Sequence, residues 1–128
     1  MKTQEFKVGN IIILNGLRGE SNIIVQEIRK TGIIHNDNPY ITPFELLKPI
    51  PLTEEWLKKF GFKKGFNGMK QKEYGNNGIF IYKYSEYDFY SYVNAKIYFV
   101  HHLQNLYHAL TENELVLAVG CSPNEVQK

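Results

Sequence analysis

The chain has one cysteine, Cys121, so neither an intrachain disulfide nor a cysteine-based zinc site can be built from it. No apolar run approaches the roughly 20 residues that a membrane helix requires. The opening MKTQEFKVGN lacks the apolar core of a signal peptide, which predicts a cytoplasmic protein with no membrane partner. A formal net charge of +2 is too small to imply nucleic-acid binding from bulk electrostatics. His-Glu-x-x-His, a Walker loop, a dinucleotide fingerprint and a G-x-S-x-G elbow are all missing. These absences predict a non-catalytic protein without cofactor or metal.

What is present is aromatic. Nine Tyr and eight Phe stand against one Trp in 128 residues, enough chain for one domain or two very small ones sharing a core. The first fifty residues read as short strands: NIIIL (10–14) before Asn15-Gly16, SNIIVQEI (21–28) before a turn at Lys30–Gly32, then IIH and YIT. Strands this short and evenly spaced predict an α+β protein whose N-terminal half, residues 1–50, is a small SH3-like barrel. The helix, aromatic hairpin and C-terminal helix of residues 51–117 are expected to share the core, with 118–128 as a flexible tail.

In PIPLTEEWLKKFGF the local chemistry spells a helix from Thr53 to Phe60. Thr53 is its N-cap, Glu54 and Glu55 suit the positive end of the dipole, and Leu52 and Leu57 form a hydrophobic staple. Gly61 ends it with a left-handed cap. From Ile79 the period becomes two, predicting a Tyr-rich antiparallel hairpin that turns at 85–88. With Tyr84 opposite Phe89, one face would carry Phe80, Tyr82, Tyr84, Phe89 and Ser91. A closing helix should cover one of its faces.

Three of the four histidines fall within positions 101–108. Helical periodicity puts Leu103, Leu106, Tyr107 and Leu110 on one stripe, with His101 and His108 nearly opposite, beside Gln104 and Asn105. The two histidines are about 10 Å apart along the axis, too far for one metal ion. The expectation is therefore a solvated polar face. His101, Gln104, Asn105 and His108 could also form a contact surface for a protein partner.

With these residues placed, two stretches carry a resemblance. KPIPLTEEWLKKFGF (48–62) is similar to PIPLTEEWLLKFGF, and VHHLQNLYHALTENEL (100–115) to VHQLQNLYFALTGEEL. Both motifs mark a family of small proteins from phages and mobile elements of gut Bacteroides-type bacteria. FKVGN near the start is similar to its frequent opening RIGN. The chain departs at Lys58, where the family usually has Leu, and at Glu112-Asn113, where it has Gly-Glu. The resemblance implies a small accessory protein made in the cytoplasm of an infected bacterium.

Residues 54–73 hold six Lys and three Glu, a local +3, while residues 101–128 carry one Lys and three Glu, a local −2. Lysines alternate with Phe60, Phe62 and Phe66, and Gly61, Gly65 and Gly68 free the backbone. Lysines reach phosphates and aromatic rings stack on bases. A solvated basic loop would have the same composition. The candidate ligand site is Lys63, Lys64, Gly65, Asn67 and Lys70 with Tyr82 and Tyr84. Given the phage context, the leading expectation is a homo-oligomeric host-defence antagonist that sequesters a nucleotide-type signal. The alternatives are a single-stranded nucleic-acid-binding accessory protein and an inhibitor of a host protein.

Overall fold

The strand Ile11–Gly16 (β1) sends its side chains alternately into two hydrophobic cores, and so joins the two halves of the fold. Ile11 and Ile13 pack in the larger core; Ile12 and Leu14 pack in the smaller one, as the two-residue period of a strand requires. The structure, a computed structural model, describes residues 6–16, 19–36, 38–66, 72–85, 88–91 and 96–118. Gly19–Ile28 (β2), Gly32–His35 (β3), Asn38–Pro43 (β4) and Leu47–Lys48 (β5) complete an antiparallel sheet in the order β4-β3-β2-β1-β5. A 3-10 turn at Phe44–Leu46 brings β5 back to β1, with Ile13 opposite Lys48 and Leu14 opposite Leu47. The first four strands follow the order read from the sequence.

The helix Glu54–Lys59 (α1) has the ends its sequence specifies. Thr53 Oγ1 accepts from the Trp56 N–H at 3.4 Å, and Leu52 and Leu57 are both buried in the larger core. At the other end the Gly61 N–H donates to the Lys58 carbonyl and the Phe62 N–H to the Leu57 carbonyl, a Schellman pair, with Gly61 at φ +84°. Asn76 Nδ2 adds a bond to the Phe60 carbonyl. Thr53→Ala is expected to cost about 1 kcal/mol, and Gly61→Val more, because a β-branched residue resists positive φ. Urea unfolding of the two variants measures both. A Gly61→Val protein as stable as wild type would contradict this cap.

Lys63–Phe66 (β6), Lys72–Asn76 (β7), Ile79–Ser85 (β8), Asp88–Ser91 (β9) and Lys96–Ile97 (β10) form the second antiparallel sheet, in sequence order. Asn77 (φ +50°) and Gly78 (φ +83°) make the two-residue turn between β7 and β8. The β8–β9 register differs from the expected one. Lys83, not Tyr84, lies opposite Phe89, and the ladder shifts between Lys83 and Ser85. The irregularity changes which residues share a face. Ile79, Ile81, Phe89 and Ser91 are buried with Tyr74, while Phe80, Tyr82 and Tyr90 lie on the other face. Burial, and secondarily the nearby Glu54 carboxylate, raise the Tyr74 hydroxyl's pKa well above its ordinary value.

Val100–Thr111 (α2) closes the larger core. Val100, Leu103 and Tyr107 are buried there, whereas Leu110 is 45% exposed. The buried face is therefore rotated from the stripe read from apolar spacing, and it takes in His101 and Gln104. Backbone bonds from Leu52 N–H to the Tyr98 carbonyl and from Val100 N–H to the Ile50 carbonyl tie the lead-ins of the two helices together. Among the described residues, no helix is long and apolar enough to cross a membrane.

Candidate functional site

Strand register alone assembles a surface on the outer face of the second sheet. Lys63, Gly75 and Phe80 lie opposite one another across β6, β7 and β8. The next outward row runs Gly65, Glu73, Tyr82, Tyr90, Lys96 across all five strands. Phe80 is 39% and Tyr84 52% exposed; Tyr82 and Tyr90 are half-buried. Tyr84 meets Tyr90 edge to face with ring centres 4.9 Å apart, which draws it into the same group. Phe80 and Tyr82 stand two residues apart on one strand, about 7 Å, and Tyr90 is one strand away, about 5 Å.

The glycines keep this face open. A Cβ on Gly65 would meet nothing within 4 Å, and a Cβ on Gly75 would come 3.0 Å from the Phe80 ring, which lies over that position. The result is a shallow groove of about 420 Å³ lined by Lys63, Lys64, Gly65, Glu73, Gly75 and Phe80, together with the Asn76–Gly78 turn. Its β6 rim is cationic. On the opposite edge Lys96 bonds Asp88 at 2.8 Å and lies 4.9 Å from the centre of the Tyr98 ring. The hydrogen bond to Asp88 holds the Lys96 ammonium's pKa above its usual value.

Of the residues expected to bind ligand, Lys63, Gly65 and Tyr82 share this face, with Lys64 at its rim and Tyr84 beside Tyr90. Asn67 and Lys70 lie outside the described residues, as do Cys121 and the rest of 119–128. Glu73, Gly75 and Phe80 were not assigned to the site from sequence. Asn77-Gly78, a strong hairpin dipeptide, was the available signal for β7 and so for the pairing that places them.

The expected histidine face is corrected by the packing of α2. His101 is fully buried rather than solvated, edge-on to Phe6 at 5.0 Å and stacked on Phe99 at 5.8 Å. Gln104 is 7% exposed because its amide closes a gap in backbone pairing. Its Oε1 accepts from the Ile11 N–H at 2.8 Å and its Nε2 donates to the Gly9 carbonyl at 3.0 Å. His101 is therefore not available as a contact surface, and both ends of the Gln104 amide are already engaged by backbone. Asn105 and exposed His108 do reach one, a cleft of about 270 Å³ that also takes in Lys7–Asn10, Gln104, Glu114 and Leu115.

Among the described residues no three His, Cys, Asp or Glu come together as a metal set. Comparison of the chain with protein-family models, curated proteins and solved structures finds no match.

Proposed function

We propose that this is a non-catalytic binding protein whose outer sheet face takes single-stranded nucleic acid. The observation that carries the reading is the set of Phe80, Tyr82 and Tyr90 that strand register puts on one face, with Tyr84 edge-on to Tyr90 and with Lys63 and Lys64 lining the groove beside Phe80. Each base stacked on an aromatic ring contributes about 1–3 kcal/mol, and the spacing along β8 suits successive bases of an extended strand. Glu73 lies among the rings, where a carboxylate accepts hydrogen bonds from base amino groups while the phosphates follow the lysine rim. An open face suits a chain ligand, which can enter and leave at both ends.

A second reading keeps the same residues for a mononucleotide-type signal sequestered in an infected cell, in antagonism of host defence. The groove over Gly65 and Gly75 supports it, being large enough for one nucleotide. Its phage context comes from the two sequence motifs alone. The order β4-β3-β2-β1-β5, with a 3-10 turn before β5, supports an SH3-like reading of the first sheet.

Salt separates the two ligands. Binding of an oligonucleotide should weaken steeply with salt, with a log–log slope of about −0.7 per phosphate contacted. Replacing Lys63 and Lys64 by alanine should flatten that slope by about one to two phosphate contacts. A mononucleotide should depend less on salt and as much on Tyr82. If wild type binds neither class at low salt, both readings fail and a protein partner takes their place.

A further inference from the structure

The cleft between the Lys7–Asn10 turn and α2 lies on a different part of the fold from the sheet face, and its construction is that of a rigid receptor. Two buried amides fix its floor. Gln104 bridges Gly9 and Ile11, while Asn10 accepts from the Lys7 N–H at 2.7 Å and donates through Nδ2 to Asn105 Oδ1 at 3.0 Å. With its Oδ1 engaged, Asn105 keeps its amide N–H donors for the cleft it lines. Buried amides with their bonds made resist rearrangement, so the cleft is preformed rather than induced.

The lining carries both signs of charge and an apolar wall. Lys7 and Glu114 are exposed, and the Glu114 carboxylate is held above Gly9, with Oε1 3.3 Å from the place a Cβ would occupy there. Gly9, at φ +93°, suits that position because it has no side chain to displace the carboxylate. Val8 and Leu115 supply aliphatic surface, and Leu115 is anchored in the larger core. At about 270 Å³ the cleft has the size of a small-metabolite site.

We infer that this cleft binds a free aliphatic α-amino acid as its zwitterion. Glu114 takes the ammonium group, Lys7 and the Asn105 amide take the carboxylate, and Val8 and Leu115 receive the side chain. A ligand with one charge would leave either Lys7 or Glu114 unmatched, and one without a side chain would leave the aliphatic surface of Val8 and Leu115 wet.

Titration calorimetry with L-leucine tests this on the intact protein, with glycine, N-acetyl-leucine and leucinamide as comparisons. Leucine should bind in the micromolar to millimolar range. Glycine, and each derivative with one charge removed, should bind at least about tenfold more weakly. Glu114→Gln and Lys7→Ala, both at exposed positions, should each reduce leucine affinity by about tenfold or more. The inference is overturned if leucine does not bind at about 10 mM, or if both blocked derivatives bind as well as leucine. A blocked derivative that binds alone would instead show a site for a peptide terminus, which also overturns it. None of these outcomes bears on the sheet face.

Discussion

Replacing Gly32 by alanine is expected to destabilise the protein by about 3 kcal/mol or more, the upper end of what overpacking costs. A Cβ at this position would fall 2.1 Å from the Thr42 carbonyl oxygen and 2.7 Å from its carbonyl carbon. Both atoms are backbone, so no rotamer change relieves the clash. β4 would have to move away by about an ångström, breaking the ladder that sets Gly32 opposite Pro43 and Ile33 opposite Thr42. The turn bond from the Arg29 N–H to the Gly32 carbonyl would be pulled with it. Gly65→Ala is the matched control, since its Cβ enters open space, and should stay within about 0.5 kcal/mol of wild type. Urea unfolding of both variants tests the pair. A Gly32→Ala protein indistinguishable from wild type would show that β3 and β4 are not packed in this way.

Gln104→Ala should cost about 2–4 kcal/mol, against about 0.5 or less had this residue been solvated. The variant strands the Ile11 N–H and the Gly9 carbonyl in a nearly dry contact, each at about 1–3 kcal/mol, less what entering water recovers. Gln104→Glu sharpens the test. An ionised carboxylate still accepts from Ile11 but has no proton for the Gly9 carbonyl and sets charge against it. Only the protonated carboxyl fits, so its folded-state pKa is raised above the unfolded value. The variant's deficit relative to wild type should then be smallest at low pH, and should grow as pH rises through the carboxyl range. A deficit independent of pH would contradict this bridge.

How far the sequence could be read depended on whether the determinant was local. The caps of α1 were legible because Thr53, Leu52, Leu57 and Gly61 act within a few residues of one another. The strands of the first sheet were legible because turn dipeptides punctuate them. The face of α2 was not, because apolar spacing counts Leu110 as core and Gln104 as surface. A polar side chain enters a core when distant backbone satisfies it, and that partner, β1, lies more than ninety positions away. The hairpin register failed for a related reason. A one-residue irregularity after Lys83 exchanges the faces of everything beyond it, and alternation by itself carries no sign of it. Composition nominated lysines, glycines and tyrosines as candidates, whereas the pairing that sets Phe80, Gly75 and Glu73 beside Lys63, Gly65 and Tyr82 runs across three strands.

The central claim, a base-stacking outer face, is tested most directly by mapping backbone amide NMR shifts while titrating a short single-stranded oligonucleotide. The largest changes should fall at Lys63–Gly65, Glu73–Gly75, Phe80–Tyr84 and Tyr90, with the cleft residues Asn105 and His108 unmoved. Tyr82→Ala should abolish most of these shifts and weaken binding by about 1–3 kcal/mol while the remaining spectrum stays native. Shifts confined to the first sheet or to α2, or a Tyr82→Ala protein that binds as wild type does, would contradict the account.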